Sequence, residues 1–173
     1  NPANLYGASK LAGENLISTI DGKNIIIRVA SLFGHRGCKA KGYDNFIEMI
    51  IRKYENGESI KVVNDIYMTP TSTEIAVDTT IKLIDGLHFD LFHLVSSGNC
   101  NWFEFAKEIF TINNYDKQKL ISCNSTQIKQ TIPRGFNTSL NNNKITALGI
   151  DIPKWKNLLV NYLNKRKKNE FIN

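Results

Sequence analysis

The chain has 173 residues, 42% of them hydrophobic and 22% charged, with a formal net charge of +6 at neutral pH. That length suits one domain, and that composition supports a packed core, which excludes a disordered or low-complexity chain. No apolar run approaches the roughly 20 residues that cross a bilayer, and the polar N-terminus carries no signal-peptide pattern.

In chain order, Pro2 precedes a first helix on which Leu5, Ala8, Leu11, Ala12, Leu16 and Ile20 form an apolar stripe, ended by Asp21-Gly22. Gly7, Ala8, Ala12 and Gly13 let that helix lie close to a neighbour. Residues 24–28 read NIIIR, and three consecutive isoleucines predict a strand covered on both faces, as in a parallel sheet. The Gly- and Lys-rich stretch ASLFGHRGCKAKGY follows, at the strand end where open α/β sheets bind ligands. Asn45 caps a second helix with Phe46, Met49, Ile50 and Tyr54 inward, closed by Asn56-Gly57. Ile60–Val63 is a short strand. NDIYMTPT turns at Pro70 into a helix capped by Thr71 or Ser72 and running to about residue 84, with Ile75, Ala76, Thr79 and Leu83 inward.

Residues 91–95, LFHLV, form another strand. Asn101 with Glu104 makes a capping box for a helix over 102–110, in which Trp102 is a packing residue. Leu120–Cys123 is a short strand, and the polar stretch IPRGFNTSLNNN holds a single arginine. A short helix over 144–148 ends at Gly149, and Pro153 precedes a last helix, 155 to about 165, with Trp155, Leu158, Leu159 and Leu163 inward. Helices alternating with short apolar strands give an α/β class.

The basic run Lys165, Arg166, Lys167 and Lys168 comes without an aromatic–basic platform or a nucleic-acid motif, so it reads as a solvated helix end favoured by the dipole. Neither a nucleic acid nor a membrane is expected as a partner. Cys38, Cys100 and Cys123 are odd in number and far apart, and read as reduced thiols of a cytoplasmic protein. His35, His88 and His93 show no paired metal pattern.

Tyr6 and Lys10 are four residues apart, which places both on one helix face within reach of a shared ligand. An ammonium beside a phenol favours the phenolate. Such a phenol can protonate an alkoxide as it forms during carbonyl reduction. On spacing alone, a coincidental pair remains the commoner outcome.

Further segments raise the reading. YGASKLAGE resembles YGxSKxxGE, KGYDNFIEMII resembles KGxNFV, VVNDIYMTPT resembles VVxDQxxxPT, FHLVSSGNCNWFEFAKEIF resembles YHxxxxGxxSWYEFAxxI, PRGFNTSLNNNKI resembles PRPxNTSLxxxKL, and IPKWKNLLVNYL resembles PxWxxxLxxYL. Together with the strand-and-loop IIIRVASLFG, these motifs in this order are similar to the C-terminal part of the dTDP-4-dehydrorhamnose reductase (RmlD-like) family of extended short-chain dehydrogenases/reductases.

The resemblance implies a Rossmann-like fold and reduction of the C4 keto group of a dTDP-4-dehydro-6-deoxysugar to dTDP-L-rhamnose with NADPH or NADH. It makes Tyr6 the proton donor and Lys10 the group on the nicotinamide ribose hydroxyls, with a serine or threonine upstream. It assigns Asn45, Arg134 and Ser139 to the sugar-nucleotide pocket. Arg134 offers a bidentate fork to diphosphate oxygens, and a surface arginine is the plain reading of the same residue. Ser31 stands where many members carry a tryptophan lining the sugar, so either another side chain such as Phe33 covers the sugar face or the substrate preference differs. Gly135 replaces the usual proline after Arg134.

The resemblance further divides the chain into a catalytic helix and following strand, 1–35, and a mostly substrate-binding part, 36–173. Some relatives form homodimers or carry Mg2+, for which this sequence offers no ligand set. No Gly-rich dinucleotide fingerprint is present, so the chain is expected to be a C-terminal portion that lacks its cofactor-binding partner half and is inactive alone. Two other readings stand beside this one: a non-catalytic sugar-nucleotide-binding or regulatory module, resembling the regulatory subunits of methionine adenosyltransferase, and a related sugar-nucleotide epimerase or dehydratase.

Overall fold

The computed structural model describes residue 2 and residues 4–20, 22–35, 45–128 and 135–168. The chain enters on α1 (Leu5–Ser18), where the Asn4 side chain accepts a hydrogen bond from the Gly7 N–H and so satisfies one of the free donors of the first turn. β1 (Ile26–Arg28), β2 (Leu32–Phe33), α2 (Phe46–Glu55), β3 (Ile60–Val63), β4 (Tyr67–Met68) and β5 (Thr71–Ser72) follow. The remaining elements are α3 (Thr73–Asp85), β6 (Leu91–His93), β7 (Cys100–Asn101), α4 (Trp102–Asn113), β8 (Leu120–Cys123), α5 (Asn143–Thr146) and α6 (Trp155–Lys167).

The strands pair in twos. β1 runs parallel to β6, with Arg28 opposite His93; β2 runs parallel to β5, and β3 parallel to β8. β4 and β7 are antiparallel. Parallel pairing between strands distant in sequence, with helices as the crossovers, is the α/β arrangement that the alternation of elements predicts.

Two apolar cores form. The larger gathers Ile47, Ile50 and Ile51 of α2, Phe105, Ile109 and Phe110 of α4, and Trp155, Leu159 and Leu163 of α6 against β3. The smaller joins Leu83 of α3, Phe92 of β6, Ile145 of α5 and Ile152. Aromatic contacts lock the larger core: Phe110 meets Tyr54 and Tyr115 edge-on at 5.4 and 5.5 Å, while those two tyrosines stack at 3.8 Å.

Local chemistry sets the helix starts as the sequence predicts. Asn45, Ser72 and Asn101 each accept from a first-turn N–H, and Asn101 with Glu104 closes a full capping box. The strands over Ile60–Val63 and Leu120–Cys123 and the inward Thr79 and Leu83 of α3 also stand as expected, whereas several other expectations need correction. The stripe on α1 does not face inward: none of its residues is buried, and Leu5 is 86% exposed. Of the stripe only Leu11 is half-buried, and Gly7 and Glu14 are the other half-buried positions of the helix. α1 also stops at Ser18, before Gly22. The NIIIR strand is shorter than expected and half-buried, with β6 as its one described neighbour. In α2 the buried residues are Ile47, Ile50 and Ile51, whereas Phe46, Met49 and Tyr54 pack from the flank. β6 ends at His93, although Leu94 and Val95 beyond it are buried. α4 continues to Asn113, α5 spans Asn143–Thr146, and α6 buries Tyr162 with the predicted Trp155, Leu159 and Leu163, while the predicted Leu158 is half-buried.

The basic end of α6 is more than a solvated helix terminus. Lys165 pairs with Glu74 and Arg166 with Glu48, each within 3 Å, which ties α6 to α3 and α2. No described helix is long and apolar enough to cross a membrane.

Phe110→Ala is expected to lower unfolding free energy by about 3–5 kcal/mol, because it removes a fully buried ring and leaves a cavity between two tyrosines. Urea denaturation of the two proteins checks this; a loss below about 1 kcal/mol would contradict the packing described.

Candidate active site

α1 presents Tyr6 and Lys10 on one flank. Tyr6 is 71% exposed, and the Lys10 ammonium lies 5.4 Å from the centre of its ring. That is cation–π range, and it brings the phenol and the positive charge together over a single helical turn. The Ser9 hydroxyl donates to the Tyr6 carbonyl at 2.8 Å, a contact within the first turns of the helix.

One turn beyond Lys10, Glu14 makes a bidentate ion pair with Arg28, the last residue of β1. Arg28 Nε lies 2.8 Å from Glu14 Oε1 and Nη2 lies 2.6 Å from Oε2. The guanidinium holds the Glu14 carboxyl below its usual range. On the other side of Arg28, Nη1 is 3.5 Å from Nε2 of His93 on the neighbouring strand. Burial, and then the charge of Arg28, push His93 below its ordinary value, so its ring is neutral at pH 7 and can accept from the arginine. Nothing in the local sequence pattern signals this cluster, because Glu14 meets Arg28 only where α1 lies against β1, and His93 meets it only through the β1–β6 pairing.

Ser31 lies just past β1 with a left-handed backbone, φ 44°, and its carbonyl accepts from the Thr71 N–H at 3.2 Å. The turn sends the chain into β2 beside β5. Gly34 follows, and a Cβ there would fall inside the Thr73 side chain, so only glycine passes this close to the start of α3. Phe33 does not cover a sugar site. It is 3% exposed and packs edge-on against Tyr162 and tilted against Phe105.

Asn45 is a hub. Its Oδ1 caps α2 through the Glu48 N–H, while Nδ2 donates to the Gly34 carbonyl at 3.0 Å and to the Tyr162 hydroxyl at 3.2 Å. Tyr162 in turn donates to Glu48 Oε1 at 2.7 Å, and Arg166 holds the same carboxylate. Burial drives the Tyr162 phenol pKa upward, so it stays a neutral donor.

Ser139 sits in a turn where Asn137 Oδ1 accepts from its N–H at 3.0 Å and from its hydroxyl. Tyr67 donates to the Phe136 carbonyl and accepts from the Thr138 N–H, which stitches this segment onto β4. Arg134 lies outside the described residues. Among the described residues no hydrogen bond joins Tyr6 or Lys10 to Ser31, Asn45 or Ser139, and no group of three acidic, histidine or cysteine side chains could hold a metal ion. A cleft of about 230 Å³ opens beside Gly34, Ser72, Tyr162 and Lys165. Tyr6 and Lys10 do not line it, and it is too small for a sugar nucleotide.

The chain was compared with protein families and with proteins of known structure. The family model described as the RmlD substrate binding domain matches residues 1–168. Spore coat polysaccharide biosynthesis protein SpsK of Bacillus subtilis (strain 168) is 30% identical over 166 residues, covering 96% of this chain and 56% of that protein. dTDP-4-dehydrorhamnose reductase of Escherichia coli (strain K12) is 32% identical over 114 residues, covering 63% of this chain and 36% of the enzyme. The crystal structure of dTDP-4-dehydrorhamnose reductase from Bacillus anthracis str. Ames, in complex with NADP, superposes with a TM-score of 0.85 at 28% identity, covering 95% of this chain and 57% of that one. The described fold is thus that of the C-terminal part of an extended Rossmann-like enzyme, and the chain spans about half the length of the relatives it matches.

Two outcomes follow from the geometry. Asn45→Ala removes the cap and both Nδ2 donations, and is expected to cost about 1–3 kcal/mol in urea denaturation; an unchanged midpoint would exclude the hub. Acid is expected to weaken the α1–β1–β6 junction. A histidine with a lowered folded pKa contributes stability above its unfolded value of about 6.5, lost as pH falls through the folded one. Glu14 loses its contribution in the same direction at lower pH, below the ordinary carboxylate range. Urea midpoints between pH 8 and pH 5 should fall in the parent chain and flatten in His93→Gln; parallel curves would contradict the assignment.

Proposed function

The chain belongs to the RmlD substrate-binding domain family, and from that premise we propose that it is the proton-donating and substrate-binding part of an NADPH- or NADH-dependent dTDP-4-dehydrorhamnose reductase. The observation that carries the reading is the exposed Tyr6–Lys10 pair on α1, inside the segment that the family model covers. The same reading places the protein among cytoplasmic enzymes that make dTDP-L-rhamnose for surface polysaccharides, and the kinship with a spore coat polysaccharide biosynthesis protein supports that setting.

The chemistry asks little of the polypeptide beyond placement and a proton. Tyr6 Oη gives its proton to the sugar C4 oxygen as the carbonyl carbon is reduced. Lys10 binds the nicotinamide ribose hydroxyls, and its charge stabilises the phenolate that Tyr6 becomes. Both polar ends are open to solvent on α1, so they fit a ribose and a keto oxygen approaching from that side. Bound NADPH or NADH supplies the hydride. The dinucleotide itself is held largely by an N-terminal half outside this sequence.

Residues 1–35 supply the catalytic helix and the strand that carries it, and residues 36–173 mostly build the sugar-nucleotide side. There Arg134 pairs with diphosphate oxygens, and Ser31 and Ser139 face the sugar nucleotide. Asn45 has both of its N–H donors engaged, so its share in the pocket is to fix Gly34 and the start of α2. A homodimer belongs to the same reading.

In a protein joining this chain to its dinucleotide-binding half, Tyr6→Phe is expected to lower kcat by about 10²–10⁴-fold, the usual worth of general acid catalysis. Binding of dTDP, followed by calorimetry, should stay within about threefold, since the ring remains and only its hydroxyl is lost. Near-normal turnover of dTDP-4-dehydrorhamnose by Tyr6→Phe would reject Tyr6 as the donor.

A further inference from the structure

We propose that the Glu14–Arg28 ion pair, buttressed by His93, is the positioning device of the catalytic helix, setting the height and rotation at which Tyr6 and Lys10 are presented. The inference rests on the reading of that pair as proton donor and ribose-binding group, and adds to it the part that holds them in place.

α1 needs such a device. None of its residues is buried, so apolar packing against the described residues does not fix it. At its C-terminal end Asn24 Nδ2 donates to the Ile17 and Ile20 carbonyls, which fastens the helix to the next few residues only. The described side-chain contact that crosses from α1 to a strand is Glu14–Arg28. Its form suits the task. Two parallel N–H···O bonds constrain the angle of the helix as well as its distance, which a lysine in place of the arginine could not do.

His93 completes the arrangement. Its neutral ring sits against the opposite edge of the guanidinium, so the arginine is held between a carboxylate from the helix and an imidazole from the adjacent strand. The tether therefore spans α1, β1 and β6, and the strands have their register fixed by parallel pairing.

The geometry also places the catalytic pair. Only residues 19–25 join α1 to β1, and the Glu14–Arg28 contact across that short connection is the one expected of a helix folding back along its strand. Tyr6 lies eight residues before Glu14, which is about 12 Å of helical rise. Ser31 lies three residues after Arg28, which is at most about 10 Å of extended chain. Tyr6 and Ser31 are thus lifted to similar heights beyond the C-terminal end of β1, the side on which α/β sheets bind their ligands. Lys10 is intermediate. A rotation of α1 about its axis would swing Tyr6 and Lys10 off that line, and displacements of about 1 Å are enough to cost about 10²-fold in rate.

The test combines kinetics with hydrogen exchange. Glu14→Gln, Arg28→Met and the double variant are made in the 173-residue chain and in the protein that joins it to its dinucleotide-binding half. In the chain, amide exchange over residues 5–18 should rise about tenfold in each single variant, while α4 and β3 keep their protection. In the joined protein kcat should fall about 10–100-fold with KM for the dTDP-sugar within about threefold, and the double variant should be no worse than either single one. Exchange over 5–18 that stays unchanged would overturn the proposal, as would additive losses, or loss of protection throughout the chain. A parent protein without turnover would tell against the reductase reading instead, and the exchange measurement would still decide whether the pair holds the helix.

Discussion

The corner from Thr69 to Ser72 lies buried between two apolar cores, and its backbone has to find hydrogen-bond partners there without water. Thr69, Thr71 and Ser72 are all at most 7% exposed. A buried polar group left unpaired costs about 1–3 kcal/mol, so every segment that meets this corner is held in one place. The Thr71 N–H takes the Ser31 carbonyl, and Thr69 Oγ1 exchanges hydrogen bonds with the Leu140 backbone. Nearby, Asn142 donates to the Val95 carbonyl and to the Ser97 hydroxyl. The loop after β1 and the segment carrying Ser139 are thereby anchored to one polar seam, although more than 100 residues separate them in sequence. The segments carrying Ser31 and Ser139 meet on this seam, and α1 is joined to it through β1.

How much of this was legible in the sequence depends on the distance over which each interaction acts. The caps at Asn45, Ser72 and Asn101 act over three residues or fewer, and the residue types at those positions predict them. Helix faces with a clear period were legible too, as in α3 and α6. The two-residue strands β2, β4, β5 and β7 were not. A pair of residues carries no periodicity, and each of these strands exists only because a distant strand lies beside it. Phe33 shows the same limit: the sequence could not say that Phe105 and Tyr162 would enclose its ring. The stripe on α1 failed for a different reason. Its apolar period is real, but of its residues only Leu11 is half-covered by the described residues, together with Gly7 and Glu14.

The candidate site divides in the same way. That Tyr6 and Lys10 lie together was legible because one helical turn joins them, and the role proposed for the pair comes from the surrounding motifs. The ion pair that holds their helix was not, since Glu14 and Arg28 come together only once the helix folds back along the strand. The roles of Asn45 and Tyr162 are similarly coupled. A residue read as a pocket contact is, in the fold, also a junction through which α6 reaches the start of α2.

In the proposed function this chain serves a net reduction at C4 of a dTDP-linked keto sugar. Transfer of deuterium from NADPH dideuterated at nicotinamide C4 tests it most directly, with dTDP-4-dehydrorhamnose as substrate and the protein that joins this chain to its dinucleotide-binding half as catalyst. The account predicts one deuterium at C4 of the dTDP-rhamnose formed for each cofactor oxidised. Sugar conversion without net cofactor consumption, as an epimerase or dehydratase would give, or cofactor left unchanged beside tightly bound sugar nucleotide, would contradict it.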